Sequence, residues 1–226
     1  MMHPREAERA QRERMAVFYE RARSPVMQDI ERRVCGCDYG ASSWTTRAEA
    51  NVLSEMLGLK SGDHLLDVGA GSGWPGLYMA SQRECDVTLV DLPLAGLRIA
   101  SRRALLDHNV GRCSVTVADA AQLPFGSAAF DALSHSDLLC CLMDKQAALA
   151  SCRQVLRVSG RMALTVISLA TGLTAPQKAR AIEAGPLFVE APMAYPELLR
   201  VTGWRVIEVQ DLSAASIALC RQFIAS

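Results

Sequence analysis

Apolar positions change their spacing several times along this chain of 226 residues. Up to about Val34 they recur at helical intervals among charged residues, which predicts one or two amphipathic helices. A loop of small residues follows. Thr45 or Thr46 is then expected to cap a helix that runs through Leu57, because a side-chain oxygen at that position satisfies a backbone N–H of the first turn.

From about residue 64 onward, short β-branched runs alternate with helical patterns. Six strands are predicted, at residues 64–68, 87–91, 114–118, 130–135, 162–167 and 205–210. Such alternation is typical of crossover units, in which the strands run parallel and helices cover both faces of the sheet. The expected fold class is therefore α/β, a doubly wound and mostly parallel sheet with helices on both faces.

Two segments fall outside this alternation: residues 1–45, which are helical in pattern, and residues 171–200, which hold four prolines. Ligands of doubly wound sheets bind beyond the carboxyl ends of the strands, so segments that cross this edge are natural lids. The expected organisation is an N-terminal helical lid over 1–45 and a main domain over 46–226 with a lid insertion near 171–200. Plain insertions, or a dimer surface, are the alternative for both segments.

The net charge and the spacing of the cysteines indicate which classes of partner this chain is expected to bind. Its 24 basic and 24 acidic residues balance to a net charge of zero, so no overall field attracts nucleic acid or an anionic membrane surface. Eight cysteines occur without paired C-x-x-C spacing, which argues against a structural metal. We therefore expect a small-molecule partner, no nucleic acid and no metal.

The apolar runs also bear on location. The longest, near residues 164–173, falls short of the ~20 residues that a transmembrane helix needs. The N-terminal segment mixes acidic and basic residues and lacks the apolar core of a secretory signal. A cytoplasmic location without a membrane span is the expectation that follows.

The stretch LLDVGAGSGWPG, residues 65–76, places three glycines in G-x-G-x-G spacing directly behind the first predicted strand. Glycine tolerates positive φ and allows close approach to the backbone, so a flat or extended ligand is expected against Gly69, Gly71 and Gly73. The helix predicted from about Trp74 adds unpaired N–H groups at its start. A glycine-rich turn alone is weak support, because a tight strand-to-helix turn explains two of the three glycines.

Three consecutive strands each end in an acid: Asp67, Asp91 and Asp119. The spacing of Asp91 from the glycines suits a carboxylate that accepts both ribose hydroxyls of a nucleoside, and Asp119 can accept from an adenine amino group. Like charges at one sheet edge repel, so a ligand with several donors and a cationic part would stabilise them. The alternative is that each aspartate caps the following turn or helix.

Two cofactor classes remain, a nicotinamide or flavin dinucleotide and S-adenosylmethionine. Dinucleotide loops place a glycine where Trp74 stands, and a pyrophosphate would meet the charge of Asp67. S-adenosylmethionine carries an ammonium and a sulfonium and no phosphate, which makes Asp67 useful near its amino acid part. The residues favour S-adenosylmethionine, with a dinucleotide-dependent oxidoreductase and a non-catalytic S-adenosylmethionine-binding protein as the alternatives.

From about Tyr39 to Leu212 the chain resembles the class I S-adenosylmethionine-dependent methyltransferases. The glycine-rich stretch looks like their first motif, and four further stretches follow in that family's order: VTLVDLP, VTVADAAQLPF, FDALSHSDLLCCLMDK and VLRVSGRMALTVI. The resemblance implies a Rossmann-like fold, with S-adenosylmethionine as methyl donor and S-adenosylhomocysteine as product. GSGWP and SDLLCCLMDK are most similar to the branch with sterol, tocopherol and glycine methyltransferases, which implies a small-molecule acceptor.

The resemblance also implies which residues surround the cofactor. They are Tyr39, Thr45, Asp67, Gly69, Ala70, Gly71, Gly73, Asp91, Leu92, Asp119, Ala120, Ser134 and His135. Asp91 would hold the ribose hydroxyls, Asp119 the adenine amino group, and Ser134 would lie beside the methionine amine. Ser43 is a further candidate for the segment that closes over the cofactor.

Methyl transfer needs an attacking lone pair in line with the sulfonium, and a general base matters only if the acceptor begins protonated. His135, at the cofactor end of a strand, is the first candidate base and Asp137 the second. Some members of the resembled branch have a histidine where this chain has Cys140 or Cys141, so no catalytic histidine is carried over to that position. The apolar face of a predicted C-terminal helix needs the sheet edge or a second subunit of a homodimer to cover it.

Overall fold

The structure, a computed structural model, describes residues 4–40, 45–106 and 111–225. Three helices precede the sheet: α1 (Pro4–Ala22), α2 (Pro25–Val34) and α3 (Arg47–Leu57). Of the two predicted caps, Thr46 is the one that begins α3, because its hydroxyl accepts a hydrogen bond from the N–H of Glu49 at 3.2 Å.

The rest of the chain alternates strands and helices as the pattern predicted. The elements are β1 (His64–Val68), α4 (Gly76–Arg83), β2 (Asp86–Asp91), α5 (Leu94–Ala104), β3 (Cys113–Val117), β4 (Phe130–Ser136), a 3₁₀ turn (Leu139–Cys141), α6 (Lys145–Val155), β5 (Leu156–Thr165), α7 (Ala175–Ala184), α8 (Tyr195–Val201) and α9 (Ser213–Ala225). The five strands lie in the order β3-β2-β1-β4-β5, and every neighbouring pair is parallel. The predicted doubly wound, Rossmann-like α/β fold is confirmed.

The core lies on both faces of the sheet because successive residues of a strand point to opposite sides. Leu65 packs with residues of α3, α4 and α5 in one apolar cluster, whereas Leu66 packs with residues of α6 in another. The order of the strands reverses between β1 and β4. Ligands of open α/β sheets bind beyond the carboxyl ends of the strands at such a reversal.

The sixth predicted strand is wrong: residues 205–210 form no strand in the structure. The alternation of apolar and polar residues is present there, but a strand also needs a neighbour to share its backbone hydrogen bonds. In the described part of the chain no strand pairs with the outer edge of β5, and Ile207 and Val209 are 71% and 65% exposed. The fifth strand also begins earlier than predicted, at Leu156, because α6 runs directly into it.

The two segments that the sequence set apart contain helices. Residues 1–45 hold α1 and α2, and the insertion near 171–200 holds α7 and the first part of α8. The predicted C-terminal helix is present as α9. Across the described ranges, no helix combines the length and apolar character that crossing a membrane requires.

One close contact sets the position of α5 under the turn that follows β1. A Cβ placed on Gly96 of α5 would lie 2.8 Å from the backbone carbonyl atoms of Gly71. Backbone atoms cannot move aside as the end of a flexible side chain can. The absence of a side chain at Gly96 therefore allows this helix and the glycine-rich turn to meet.

We predict that Gly96→Ala destabilises the protein although alanine is the better helix former by ~1 kcal/mol. Overpacking against fixed backbone costs about 1–3 kcal/mol, so the melting temperature should fall by roughly 2–8 °C. Gly126→Ala is the matched control, since a Cβ at Gly126 meets nothing within 4 Å. A thermal melt in which Gly96→Ala is as stable as the unchanged protein would contradict the contact.

Candidate functional site

The turn after β1 is bent by three glycines in the left-handed region. Gly69, Gly71 and Gly73 have φ values of 73°, 53° and 95°, which residues with a Cβ rarely adopt. The N–H groups of Gly69 and Ala70 both donate to the carbonyl of Val90, at 2.7 and 3.0 Å. The turn is thereby bound to the end of β2, and the absence of side chains at its glycines lets Leu138, Tyr19 and Leu77 pack closely on its backbone.

Asp91, the last residue of β2, is bonded to this turn. Its Oδ2 accepts a hydrogen bond from the N–H of Gly71 at 2.7 Å, and its Oδ1 accepts one from the N–H of Leu92 at 2.7 Å. Burial raises the pKa of Asp91 to about 6, while these backbone hydrogen bonds act in the opposite direction. The structure thus brings Asp91 and the glycine-rich turn together, and the role of Asp91 toward a ribose stays a prediction.

Tyr19 of α1 covers the same position, which the sequence did not predict. Its side chain is 4% exposed, and its hydroxyl donates to Oδ2 of Asp91 at 3.5 Å. A Cβ at Gly71 would lie 2.8 Å from that hydroxyl oxygen. Burial, followed by the charge of Asp91, raises the pKa of Tyr19 well above its ordinary value. No spacing signal marks Tyr19, because its partner lies 72 positions away in the sequence.

Asp67 and Ser134 form a second buried polar pair, between β1 and β4. The hydroxyl of Ser134 donates to Oδ1 of Asp67 at 2.7 Å. Oδ2 of Asp67 is buried against Gly76 at the start of α4, where a side chain would collide with it. Burial raises the pKa of Asp67 to about 7, although hydrogen bonding from Ser134 and from the backbone of Gly76 lowers it.

Tyr39 and Thr45 meet at Trp74, at the far end of the turn. The indole Nε1 of Trp74 donates to the backbone carbonyl of Thr45 at 2.8 Å, and the rings of Tyr39 and Trp74 lie 5.1 Å apart. Tyr39 and Thr45 therefore both lie against the turn, Thr45 through its backbone, and their role in closing over a cofactor stays a prediction. Ser43 lies outside the described residues.

Asp119 follows β3 and is exposed. Its Oδ1 accepts a hydrogen bond from the N–H of Ala121 at 2.8 Å, so the carboxylate caps the turn that follows it. Leu92 is half-buried and Ala120 is buried, at the ends of β2 and β3 respectively. The capping interpretation of Asp119 thus describes the contact present, and its role toward adenine stays a prediction.

The two candidate bases have different surroundings. His135 is 1% exposed, and neither ring nitrogen has a hydrogen-bond partner in the described structure. Burial lowers the pKa of His135 to about 4, so its imidazole is neutral at pH 7. As the residue after Ser134 in β4, it faces away from Asp67.

Asp137 comes just after β4, with a φ of 51° and a half-buried side chain. Its Oδ1 accepts a hydrogen bond from the hydroxyl of Thr165 at 3.3 Å. Burial raises the pKa of Asp137 to about 6, and the hydrogen bond from Thr165 lowers it. This carboxyl lies at the carboxyl edge of the sheet and titrates near neutral pH.

The arrangement suits a ligand with several donors and positive charge, because three buried or half-buried carboxyls meet at one sheet edge. The carboxyls belong to Asp67, Asp91 and Asp137, and burial raises the pKa of each. A cation or hydrogen-bond donor among them offsets that cost of burial. Among the residues that the structure describes, no three histidine, cysteine or acidic side chains converge in a way that would hold a metal ion.

Comparison with known proteins agrees with this geometry. Residues 66–164 match a family described as methyltransferase domain. The chain is 30% identical over 166 residues to O-methyltransferase cnsE of Penicillium expansum, an alignment that covers 72% of this chain and 59% of that protein. It is 30% identical over 165 residues to 27-O-demethylrifamycin SV methyltransferase of Amycolatopsis mediterranei, covering 71% of this chain and 61% of that protein.

The chain spans about 60% of the length of these two curated relatives. A solved structure with a similar fold is phosphoethanolamine N-methyltransferase 2 of Haemonchus contortus in complex with S-adenosyl-L-methionine. Its TM-score is 0.75 at 19% identity, and the alignment covers 93% of this chain and 49% of that one. Residues 66–164 therefore carry a methyltransferase domain, and the solved structure shows that the two chains share the same fold.

Proposed function

We propose that this protein binds S-adenosylmethionine at the glycine-rich turn and transfers its methyl group to a small-molecule acceptor. The observation that carries the proposal is the hydrogen bond between Asp91 and the N–H of Gly71. It places a carboxylate beside the turn that follows β1, where the two ribose hydroxyls of a nucleoside can meet it once Tyr19 moves aside. The names of the two curated relatives support an oxygen atom as the methylated position.

The residues present fit the parts of this cofactor. Asp91 would accept from the ribose hydroxyls, since Oδ1 has a further lone pair beyond its backbone hydrogen bond and Oδ2 regains one when the hydroxyl of Tyr19 moves away. Asp67, with Ser134 hydrogen-bonded to it, would lie near the methionine ammonium and favour its positive charge. Asp119 and Ala120 would border the adenine. Residues 1–45 and the insertion near 171–200 would act as lids, of which α1 already reaches the turn through Tyr19.

When bound, S-adenosylmethionine supplies a methyl group on a sulfonium whose neutral thioether is a good leaving group. The chain's own residues would align the acceptor and exclude water, and alignment accounts for most of the acceleration in such reactions. A hydroxyl acceptor must also lose a proton. Between the two candidate bases the structure favours Asp137, because it is half-buried at the sheet edge, whereas His135 is 1% exposed.

We predict that Asp91→Asn weakens binding of S-adenosylhomocysteine about 10- to 100-fold, because hydrogen bonds to a charged group contribute about 1.5–3 kcal/mol. Isothermal titration calorimetry at pH 8 measures the change. Asp29→Asn is the matched control, since Asp29 is half exposed on α2 and pairs only with surface arginines among its described contacts. Equal affinities for Asp91→Asn and the unchanged protein would show that the carboxylate does not hold the ligand.

The raised pKa of Asp67 predicts a pH dependence of stability in the protein without ligand. The folded carboxyl has a pKa of about 7 against an ordinary value of 3.8, so the folded state binds the proton more tightly. Its contribution to stability is complete below about pH 4 and is lost as the pH rises through 7. The free energy of unfolding should fall between pH 5 and pH 8, by on the order of 1–3 kcal/mol from this group.

Asp67→Asn removes the titration and keeps the size and the acceptor for Ser134. In urea unfolding, the free energy of unfolding of the variant should fall less between pH 5 and pH 8 than that of the unchanged protein. The variant should therefore become more stable relative to the unchanged protein as the pH rises. Parallel pH profiles for the two proteins would mean that Asp67 does not titrate in this range.

We predict that Asp137→Asn lowers kcat at least ~100-fold for a hydroxyl acceptor, because asparagine cannot take the proton. Asparagine tolerates the left-handed backbone at this position, so the fold should persist. S-adenosylhomocysteine release measures turnover, with His135→Gln assayed in parallel. A normal kcat for Asp137→Asn together with a loss for His135→Gln would reverse the assignment of the base.

A further inference from the structure

Two adjacent cysteines lie on the 3₁₀ turn Leu139–Cys141, directly after β4. Leu138, which precedes this turn, packs tightly on the glycine-rich turn: a Cβ at Gly69 would lie 2.7 Å from Cδ1 of Leu138. The other end is held by Lys145, whose ammonium donates to the carbonyl of Leu142 at 2.7 Å and to that of Phe188 at 2.8 Å. The cysteine pair is therefore built into the wall of the proposed cofactor site.

The two thiols have different surroundings. Cys140 is fully buried, and its Sγ donates to the carbonyl of Asp137 at 3.1 Å. Cys141 is half-buried, so it is the more accessible of the two thiols. Arg14 of α1 acts to lower the pKa of Cys141, while burial and the charges of Asp137 and Asp91 act to raise it.

A reachable thiol beside a second, sheltered thiol is the arrangement found in cysteines that respond to oxidants. The reachable sulfur reacts first, and the sheltered sulfur then displaces the oxidised group before further oxidation occurs. Of the described cysteines, Cys220 on α9 is exposed and lies in a different helix, so it offers a thiol without this neighbour.

We propose that Cys141 and Cys140 form a peroxide-reactive pair that closes to a disulfide and thereby weakens ligand binding in the adjoining site. This inference rests on the proposed function, since the ligand affected is the S-adenosyl cofactor. The pair is a site of reversible modification and takes no part in methyl transfer itself.

The chemistry balances with hydrogen peroxide as the only oxidant. The thiolate of Cys141 attacks one peroxide oxygen, the O–O bond breaks, and a sulfenic acid forms with release of hydroxide, which takes up a proton to become water. The sulfur of Cys140 then attacks the sulfenic sulfur and the S–O bond breaks. The departing hydroxide leaves as water with the proton of Cys140. Two thiols are oxidised by two electrons and one peroxide is reduced to two waters.

Closure of this disulfide must change the local backbone. Neighbouring Cα atoms lie ~3.8 Å apart, whereas disulfides usually join Cα atoms ~4.4–6.8 Å apart. Cys140 would also give up its hydrogen bond to the carbonyl of Asp137. Because Leu138 packs on Gly69 and Lys145 clamps the other end, the strain is passed to the glycine-rich turn where the ribose would bind.

The test treats the full chain with limiting hydrogen peroxide, blocks remaining thiols with iodoacetamide and maps the peptides by mass spectrometry. We expect a product that lacks two hydrogens in the peptide with Cys140 and Cys141, formed faster than any oxidation of Cys220. The oxidised protein should bind S-adenosylhomocysteine at least ~10-fold more weakly in calorimetry, and dithiothreitol should restore the affinity.

Two variants sharpen the result. Cys140→Ser should leave a sulfenic acid on Cys141 that dimedone traps, and Cys220→Ser should behave as the unchanged protein. The proposal is overturned if Cys141 reacts no faster than Cys220, if no bond joins the adjacent cysteines, or if the oxidised protein binds the ligand as tightly as before. Failure of the reduced protein to bind S-adenosylhomocysteine contradicts the proposed function instead, and it is seen before any peroxide is added.

Discussion

The hydrogen bond from the N–H of Gly71 to the carboxylate of Asp91 is the contact on which the site depends. It ties the turn after β1 to the end of β2 and holds a charged group in a position that burial makes costly. The left-handed glycines allow the turn to bend that way, and Gly96 lets α5 support it from below. The backbone of this tight turn thus also holds the Asp91 carboxylate in place as a hydrogen-bond acceptor.

Buried carboxyls connect this geometry to function. Burial raises the pKa values of Asp67 and Asp91 to about 7 and about 6, which means that the protein without ligand holds charge at a cost. A ligand with an ammonium, a sulfonium and ribose hydroxyls removes that cost without needing a phosphate site. The methyltransferase domain matched over residues 66–164 agrees with a ligand of this kind.

Local sequence signals predicted the parts of the site that are close in the chain. The glycines, Asp67 and Asp91 lie at or near the carboxyl ends of the adjacent parallel strands β1 and β2. The predicted alternation of strands and helices was therefore enough to place them at one edge of the sheet. Tyr19 was not predicted as a site residue, because α1 contacts Asp91 only through tertiary packing. The prediction of a strand at residues 205–210 is wrong for a related reason. A strand needs a neighbouring strand to pair with, and the alternation of apolar and polar residues does not show whether one is present.

A crystal structure of the protein with S-adenosylhomocysteine would show directly whether Asp91 holds the ribose. We expect both ribose oxygens within ~2.5–3.0 Å of the carboxylate of Asp91, with Tyr19 moved from its present contact. A ligand bound elsewhere, or one whose ribose does not meet Asp91, would contradict it.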